Sequence, residues 1–174
     1  MIKMSSLFLI ACILLLIQAM VKTLFPEVQV VPDMALICVM YFGVYQTGVA
    51  GLLSSFVLGY LADATSGAPD GLMASSYCMV FILVRLLGRT FYMRSRWFQI
   101  ILVGVMTSFW RGSCYALLTW FPGGMEYAAL VFSDFIYRIL VNILFAPIIF
   151  SILFRIDELT TKDYQSRMVT YRIH

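Results

Sequence analysis

Long apolar stretches, each ended by a short polar or turn-rich segment, run through most of the chain. A helix that spans a membrane needs about 20 mostly apolar residues, and several of these stretches approach that length. The pattern therefore predicts an all-α fold, a polytopic membrane helical bundle over residues 1–154, followed by a cytoplasmic C-terminal tail over residues 155–174. The predicted helices cover residues 4–21, 34–45, 49–62, 71–87, 97–121 and 127–154.

The stretch over residues 34–62 leaves the number of spans open between five and six. It contains 29 residues, which is long for one span and short for two. The sequence Gln46-Thr47-Gly48 within it is typical of a tight reversal and favours two helices. We therefore expect six transmembrane helices, with five as the alternative.

Positive charge predicts the orientation of the bundle. The strongest basic segment contains four arginines, Arg85, Arg89, Arg94 and Arg96. Basic loops stay preferentially on the cytoplasmic side, which puts the turns at 63–70 and 122–126 outside and the tail inside. Lys3 has no acid near it and favours a cytoplasmic N-terminus. Both ends of the chain are therefore expected inside.

Composition supports the same class and limits the partners. Hydrophobic residues make up 62% of the 174 residues, charged residues make up 12%, and the mean hydropathy is +0.93. A soluble domain carries about 25% charged residues. We expect a multi-pass protein of the bacterial cytoplasmic (inner) membrane, in contact with membrane lipids and with no nucleic-acid partner.

The residue types that usually carry catalysis or bind metals are sparse. The single histidine is His174, and no two cysteines have C-x-x-C spacing. Zinc and haem sites depend on such clusters, so we expect no metal, no cofactor and no enzyme activity. Asp63 and Asp134 suggest an intramembrane aspartyl protease, but neither lies in a Gly-x-Gly-Asp motif, which argues against that alternative.

One predicted helix carries a line of small residues that leads to an acid. Gly51, Ser55, Gly59 and Asp63 recur every four residues, which places them on one helical face. Small residues let a neighbouring membrane helix approach closely. We interpret nine positions in and around this line as structural or partner-contact residues: Asp33, Gly51, Ser55, Gly59, Asp63, Ser66, Gly67, Pro69 and Gly71.

Ionisable residues inside predicted helices form a second candidate group. A charge in the middle of a bilayer costs about 2.5–3.5 kcal/mol on insertion scales, so each one needs a partner or a role. Helix rise puts Arg111 and Arg138 roughly 15 Å below the outer surface, with Asp134 four residues before Arg138. We expect an intramembrane polar cluster of Asp63, Arg111, Asp134 and Arg138. Ion pairing between helices, a cavity for a ligand or partner, and arginines reaching the lipid surface stay open as its role.

Two segments carry a family resemblance. Pro32-Asp33 opens the helix MALICVMYFGVY, and the next helix leads into Gly59-x-x-x-Asp63-x-x-Ser66-Gly67-x-Pro69-x-Gly71. Both segments resemble the rod shape-determining protein MreD family, and the length and the proline in the last helix are similar too. Arg111, Asp134 and Arg138 are not part of this resemblance.

The resemblance implies a function and a fold. Members of the MreD family are non-enzymatic subunits of the bacterial cell-wall elongation machinery that maintain rod shape by binding MreC. The resemblance also implies RodA, a class B penicillin-binding protein and MreB as partners. It further implies a fold similar to the S components of energy-coupling-factor transporters. The alternative function is therefore an S-component-like protein that binds a small molecule such as a vitamin for uptake, which requires a cavity with convergent polar groups.

Overall fold

The computed structural model describes residues 2–25, 31–46, 48–66, 71–88, 96–119 and 135–171. These residues form six α-helices and no strand, which confirms the predicted all-α membrane bundle. The helices are α1 (Ile2–Leu24), α2 (Met34–Tyr45), α3 (Val49–Ser66), α4 (Leu72–Gly88), α5 (Arg96–Thr119) and α6 (Phe135–Tyr171).

The shortest helix, α2, lies at the centre of the bundle. Every side chain from Ala35 to Phe42 is fully buried, and α2 packs against each of the other five helices. Its 12 residues rise only about 18 Å, less than the ~30 Å hydrocarbon core of a bilayer. A helix that is apolar on all sides can be stable only where all sides are covered, and here protein covers them.

A reversal separates α2 from α3, so residues 34–62 form two helices. Gly48 adopts φ +95°, a left-handed conformation that L side chains rarely adopt. On the other side of the turn, Arg85 Nη1 of α4 donates a hydrogen bond to the Gln46 carbonyl oxygen at 2.8 Å. This bond ties the reversal to the neighbouring helix.

Helices α3 and α4 pack antiparallel at very short range. A Cβ atom placed on Gly59 would lie 2.5 Å from the Ala74 Cα atom, and one on Gly51 would lie 2.8 Å from the Phe81 ring. Ser55, between the two glycines, is fully buried, and its hydroxyl donates to the Gly51 carbonyl oxygen at 2.8 Å. The line of small residues on α3 is therefore the surface against which α4 packs.

The last helix extends past its predicted end. Residue 154 closes the apolar stretch, but α6 continues without a break to Tyr171. The change from apolar to polar side chains after residue 154 marks where the apolar surroundings of the helix end. The backbone hydrogen bonds of α6 continue further, through residues 155–171, which contain no glycine or proline. Pro147 lies inside α6, where it cannot donate to the carbonyl of residue 143.

Two helices in the described part of the chain are long and apolar enough to cross a membrane, Ser5–Leu24 in α1 and Phe135–Thr160 in α6. Three shorter apolar helices, α2, α3 and α4, lie beside them. Large apolar side chains such as Leu9, Leu53 and Leu144 are exposed on the outside of the bundle, as expected where lipid tails surround a protein. The number of spans and their orientation stay predictions.

Candidate functional site

Asp33 begins α2 and is almost completely enclosed. Pro32 precedes it, and the Asp33 carboxylate accepts a hydrogen bond from the Leu36 backbone N–H at 3.1 Å. This is an N-cap, which satisfies one of the backbone N–H groups that the first turn of a helix leaves without a partner. Only 8% of Asp33 is exposed, so most of the cap is buried in the bundle.

A hydrogen-bond network connects this cap to four other helices. The Tyr77 hydroxyl of α4 donates to Asp33 Oδ1 at 2.9 Å, and the Asp33 backbone N–H donates to Asn142 Oδ1 of α6 at 2.8 Å. Asn142 Nδ2 then donates to Thr107 Oγ1 of α5 at 3.3 Å. On the α1 side, Gln18 Oε1 accepts from the Met34 backbone N–H at 2.9 Å.

The backbone fixes the orientation of both amide side chains. A backbone N–H can only donate, so Asn142 and Gln18 must turn their oxygen atoms toward α2 and their NH2 groups away from it. The amide groups of Asn142 and Gln18 thus each have one compatible orientation. The polar end of α2 is held in the bundle interior by groups from α1, α4, α5 and α6.

Asp63 makes a second buried cap, this time for a neighbouring helix. Its Oδ2 atom accepts from the backbone N–H groups of Gly71 and Ala74 at 3.0 and 3.2 Å, and its Oδ1 atom accepts from the Met73 N–H at 2.8 Å. Gly71 has φ +88°, which brings the chain into α4 at the required angle. Asp63 is 2% exposed and fastens the end of α3 to the start of α4.

We expect Asp63→Asn to destabilise the bundle by about 2–3 kcal/mol, because hydrogen bonds to a charged group are worth more than neutral ones. Asparagine has one oxygen in place of two, so its NH2 group must face backbone N–H donors of α4. For a chain of this size the loss lowers the melting temperature by roughly 4–12 °C. Thermal unfolding in detergent measures it.

Thr65→Val is the control for this prediction. The exposed Thr65 hydroxyl donates to carbonyl oxygens of its own helix, Leu61 O at 3.3 Å and Ala62 O at 3.1 Å. Its loss should change the free energy of unfolding by no more than about 0.5 kcal/mol. Equal melting temperatures for the two variants would contradict the role of Asp63 as a cap.

A cavity of about 530 Å³ opens beside the α2 N-terminus. It lies at the end of the bundle where α1 and α3 end and where α2, α4 and α6 begin. Lys22 of α1, Arg111 of α5 and Arg138 of α6 line it, together with Asp33. Three positive side chains from three helices therefore line one cavity.

Aromatic rings form part of the cavity wall. The Tyr77 and Trp110 rings lie 6.2 Å apart, centroid to centroid, and the Arg111 guanidinium carbon lies 5.5 Å from the Trp110 ring centroid. An arginine at this distance from an indole is stabilised by a cation–π interaction. Tyr77 contacts both Asp33 and the Trp110 ring, so the cavity wall and the hydrogen-bond network share a residue.

The structure places two residues of the predicted cluster at one cavity and shows the hydrogen bonds of a third. Arg111 and Arg138, predicted as part of one cluster, line the same cavity. Asp63 instead directs its carboxylate at the α4 backbone. Four predicted features lie outside the described residues: Gly67, Pro69, Asp134 and the side chain of Ser66. An ion pair between Asp134 and Arg138 accordingly stays a prediction.

Several residues of this site were not predicted. Gln18 and Lys22 are four residues apart in a mostly apolar helix, a pattern that marks one polar face and could have identified them. Asn142 stands out in the same way in α6. Tyr77 and Trp110 carry no such signal, because the chain is rich in aromatic residues throughout.

Within the described ranges, no group of three or more His, Cys, Asp or Glu side chains is placed to hold a metal ion. The four cysteines, Cys12, Cys38, Cys78 and Cys114, are free thiols in four different helices. Thiols packed in apolar surroundings behave as small hydrophobic side chains.

Comparison with known proteins gives one match. The family model of the rod shape-determining protein MreD matches residues 1–156, which include α1 to α5 and the first part of α6. No curated protein and no solved structure matches the chain. The similarity to S components of energy-coupling-factor transporters accordingly stays a prediction.

Proposed function

Because the chain belongs to the MreD family of rod shape-determining membrane proteins, we propose that it is a non-enzymatic scaffold of the cell-wall elongation machinery that binds MreC. The family match over residues 1–156 is the observation that carries this proposal. The proposal includes a multi-pass location in the bacterial inner membrane. RodA, a class B penicillin-binding protein and MreB are the further partners, as the resemblance implies.

The geometry of four of the motif positions supports a structural role over a direct contact with a partner. Gly51 and Gly59 are covered by α4. The carboxylates of Asp33 and Asp63 accept hydrogen bonds from backbone N–H groups of the same chain. Gly51, Gly59 and Asp63 are buried, and the small exposed part of Asp33 lines the cavity beside α2. We therefore propose that a partner binds the exposed apolar side chains of the outer helices instead.

A photo-crosslinking experiment in a rod-shaped host tests the proposal. The host copy is depleted, and variants carry a photoreactive residue at one exposed position on each of four helices. We expect rounding on depletion, rescue by the wild-type chain, and MreC crosslinks from at least one helix, because an intramembrane partner must touch an exposed face. The positions are Leu9, Phe56, Ile101 and Leu144.

Leu58 is the matched control, since it lies on α3 beside Phe56 but is fully buried. It should give no crosslink to MreC. Rescue of rod shape without MreC crosslinking or co-purification from any of the variants would contradict MreC binding while leaving the shape function intact.

Uptake of a small molecule is the second candidate, and the cavity beside α2 is the observation that favours it. The depletion strain distinguishes the two functions. Normal cell shape together with a defect in vitamin uptake would support the carrier and contradict the scaffold.

A further inference from the structure

The cavity beside the α2 N-terminus contains two groups of opposite charge that do not pair directly. Lys22 of α1 lines the cavity and makes no hydrogen bond within the described part of the chain. The Asp33 carboxylate acts on the Lys22 ammonium electrostatically, without a hydrogen bond between them. Arg111 and Arg138 also line the cavity, but both interact with other groups of the protein. Among the described lining residues, Lys22 and Asp33 thus offer a ligand one charge of each sign.

The Asp33 carboxylate has one oxygen left for a ligand. Its Oδ1 atom accepts from the Leu36 N–H and the Tyr77 hydroxyl, whereas Oδ2 makes no hydrogen bond within the described residues. The small exposed part of Asp33 lines the cavity. A carboxylate oxygen can only accept, so a positively charged donor such as a primary ammonium suits it.

The α1 wall adds donors beside this acceptor. Gln18 and Lys22 lie four residues apart, on one helical face. Gln18 uses its oxygen for the Met34 N–H, next to Asp33, which leaves its NH2 group as a donor. The Lys22 ammonium can also only donate. Both donors suit a negatively charged group with several acceptor oxygens, such as a phosphate diester.

The cavity has further polar groups and room for more than water. The hydroxyls of Thr23 and Thr65 donate to carbonyl oxygens of their own helices and can still accept. The volume of about 530 Å³ is far larger than the ~30 Å³ that one water molecule occupies in the liquid, and it lies within the range of about 300–1,000 Å³ typical of ligand pockets. Such a lining matches a polar ligand that both donates and accepts.

We propose that the cavity binds a zwitterionic head group, with its primary ammonium at Asp33 Oδ2 and its phosphate at Lys22 and Gln18. The two charges of the ligand match the two charges of the wall in opposite sign, so neither side is left with an unpaired charge. The hydroxyl oxygens of Thr23 and Thr65 are further acceptors for the ammonium.

This inference goes beyond the proposed function and does not depend on it. Two sources can present the same chemistry, the lipid phosphatidylethanolamine and a soluble ester of phosphoethanolamine. Rescue of rod shape and crosslinking to MreC can succeed or fail whichever head group binds, so the two sets of experiments are independent.

The test uses the full-length protein in a neutral detergent and measures melting temperature against ligand concentration. The probes are short-chain phosphatidylethanolamine and its mono-, di- and trimethylated derivatives, which keep both charges but lose the ammonium N–H groups one at a time. We expect phosphatidylethanolamine to raise the melting temperature by roughly 5–10 °C at about one hundred times its Kd. The affinity should fall about tenfold or more along the series, because charged hydrogen bonds are lost.

Three further probes separate the source and the charge of the ligand. Glycerophosphoethanolamine carries the same head group without lipid chains, and glycerophosphocholine is its trimethylated counterpart. Phosphatidylglycerol has the phosphate but no ammonium, so it should bind about tenfold or more weakly than phosphatidylethanolamine.

Two substitutions should have different effects on the methylation series. Asp33→Asn keeps the α2 cap and replaces one oxygen by NH2, so it should remove the dependence of affinity on methylation. Lys22→Gln should weaken binding of all four lipids about tenfold and keep that dependence, because it acts on the phosphate. Asp63→Asn in the cap of α4 and Arg155→Gln on the exposed side of α6 are the matched controls and should change neither. Each shift is measured against that variant's own melting temperature.

Each outcome decides the proposal. Saturable stabilisation by phosphatidylethanolamine alone, with both effects of substitution, supports the lipid as the source, and the same result with glycerophosphoethanolamine supports a soluble ligand. No saturable stabilisation by either probe overturns the proposal. Equal affinity for phosphatidylethanolamine and its trimethylated derivative, or a methylation dependence that persists in Asp33→Asn, overturns it as well. Tighter binding of phosphatidylglycerol would make the ligand an anion and contradict the zwitterion.

Discussion

Gly59→Ala should lower the free energy of unfolding by about 3 kcal/mol or more, the upper end of the cost of overpacking a core. The added Cβ atom would lie 2.5 Å from the Ala74 Cα atom, 2.8 Å from the Ala74 nitrogen and 2.8 Å from the Met73 carbonyl oxygen. All three atoms belong to the α4 backbone, so no side chain can rotate away. The two helices must separate, and the Asp63 cap one turn further along α3 must stretch with them.

Two other glycines provide a graded comparison. On Gly51 the Cβ atom meets the far end of the Phe81 ring, which can shift, so Gly51→Ala should cost less. On Gly112 of α5 it meets nothing within 4 Å, and alanine favours a helix over glycine by about 0.5–1 kcal/mol, so Gly112→Ala should be neutral or stabilising.

Thermal unfolding in detergent should therefore place Gly59→Ala roughly 6–12 °C or more below wild type, with Gly51→Ala between it and Gly112→Ala. In the depleted host, Gly59→Ala should fail to restore rod shape at growth temperatures where Gly112→Ala succeeds. If Gly59→Ala melts within about 1 °C of Gly112→Ala, the close α3–α4 contact is wrong.

Asp33→Ala is the second substitution with a large expected effect, about 2–4 kcal/mol in the free energy of unfolding. The estimate combines the loss of an N-cap with a buried Tyr77 hydroxyl left without its acceptor. Asp33→Asn retains one side-chain oxygen as an acceptor and ranks close to aspartate as an N-cap, so it should cost less. If Asp33→Ala is less stable than Asp33→Asn, loss of the hydrogen-bond acceptor contributes beyond loss of the charge. Equal stabilities would assign the effect to the charge.

A double-mutant cycle isolates the bond between Asp33 and Tyr77. Tyr77→Phe removes only the hydroxyl, and without that hydroxyl Asp33→Ala no longer leaves a buried donor unpaired. The double variant should therefore be destabilised by less than the sum of the two single destabilisations. Tyr60→Phe is the control, because Tyr60 is 58% exposed on α3. Strict additivity, measured as melting temperatures under one set of conditions, would show that the two side chains do not interact.

Much of this fold follows from the pattern of apolar residues. Helices α1 to α5 form within a few residues of the predicted bounds, whereas α6 continues past residue 154 to Tyr171. The reversal at Gln46-Thr47-Gly48 decides between one helix and two over residues 34–62. The sequence does not distinguish a short membrane span from a helix buried in protein, because both require apolar side chains on every face. The central position of α2 depends on its neighbours and therefore emerges only from the packing.

The candidate site could be predicted only in part, for a similar reason. Charged residues in apolar helices stand out individually, which is how Arg111 and Arg138 were identified. Their common cavity with Lys22 depends on how α1, α5 and α6 are arranged. The network around Asp33 is still less visible, since Asn142 lies 109 residues away along the chain. Local spacing contains no information about such a pair.

The separation between Asp33 and Asn142 has a consequence for how the chain is made. The ribosome releases α2 long before α6, so for most of synthesis the polar start of α2 lacks the side chain that finally accepts its N–H. A helix of about 18 Å with unsatisfied polar groups is unstable by itself in lipid, because it is too short to span the bilayer and its polar groups have no partners there. Shortened chains that lack α6 should therefore be targets for membrane proteases, and the bundle closes only when its last helix arrives.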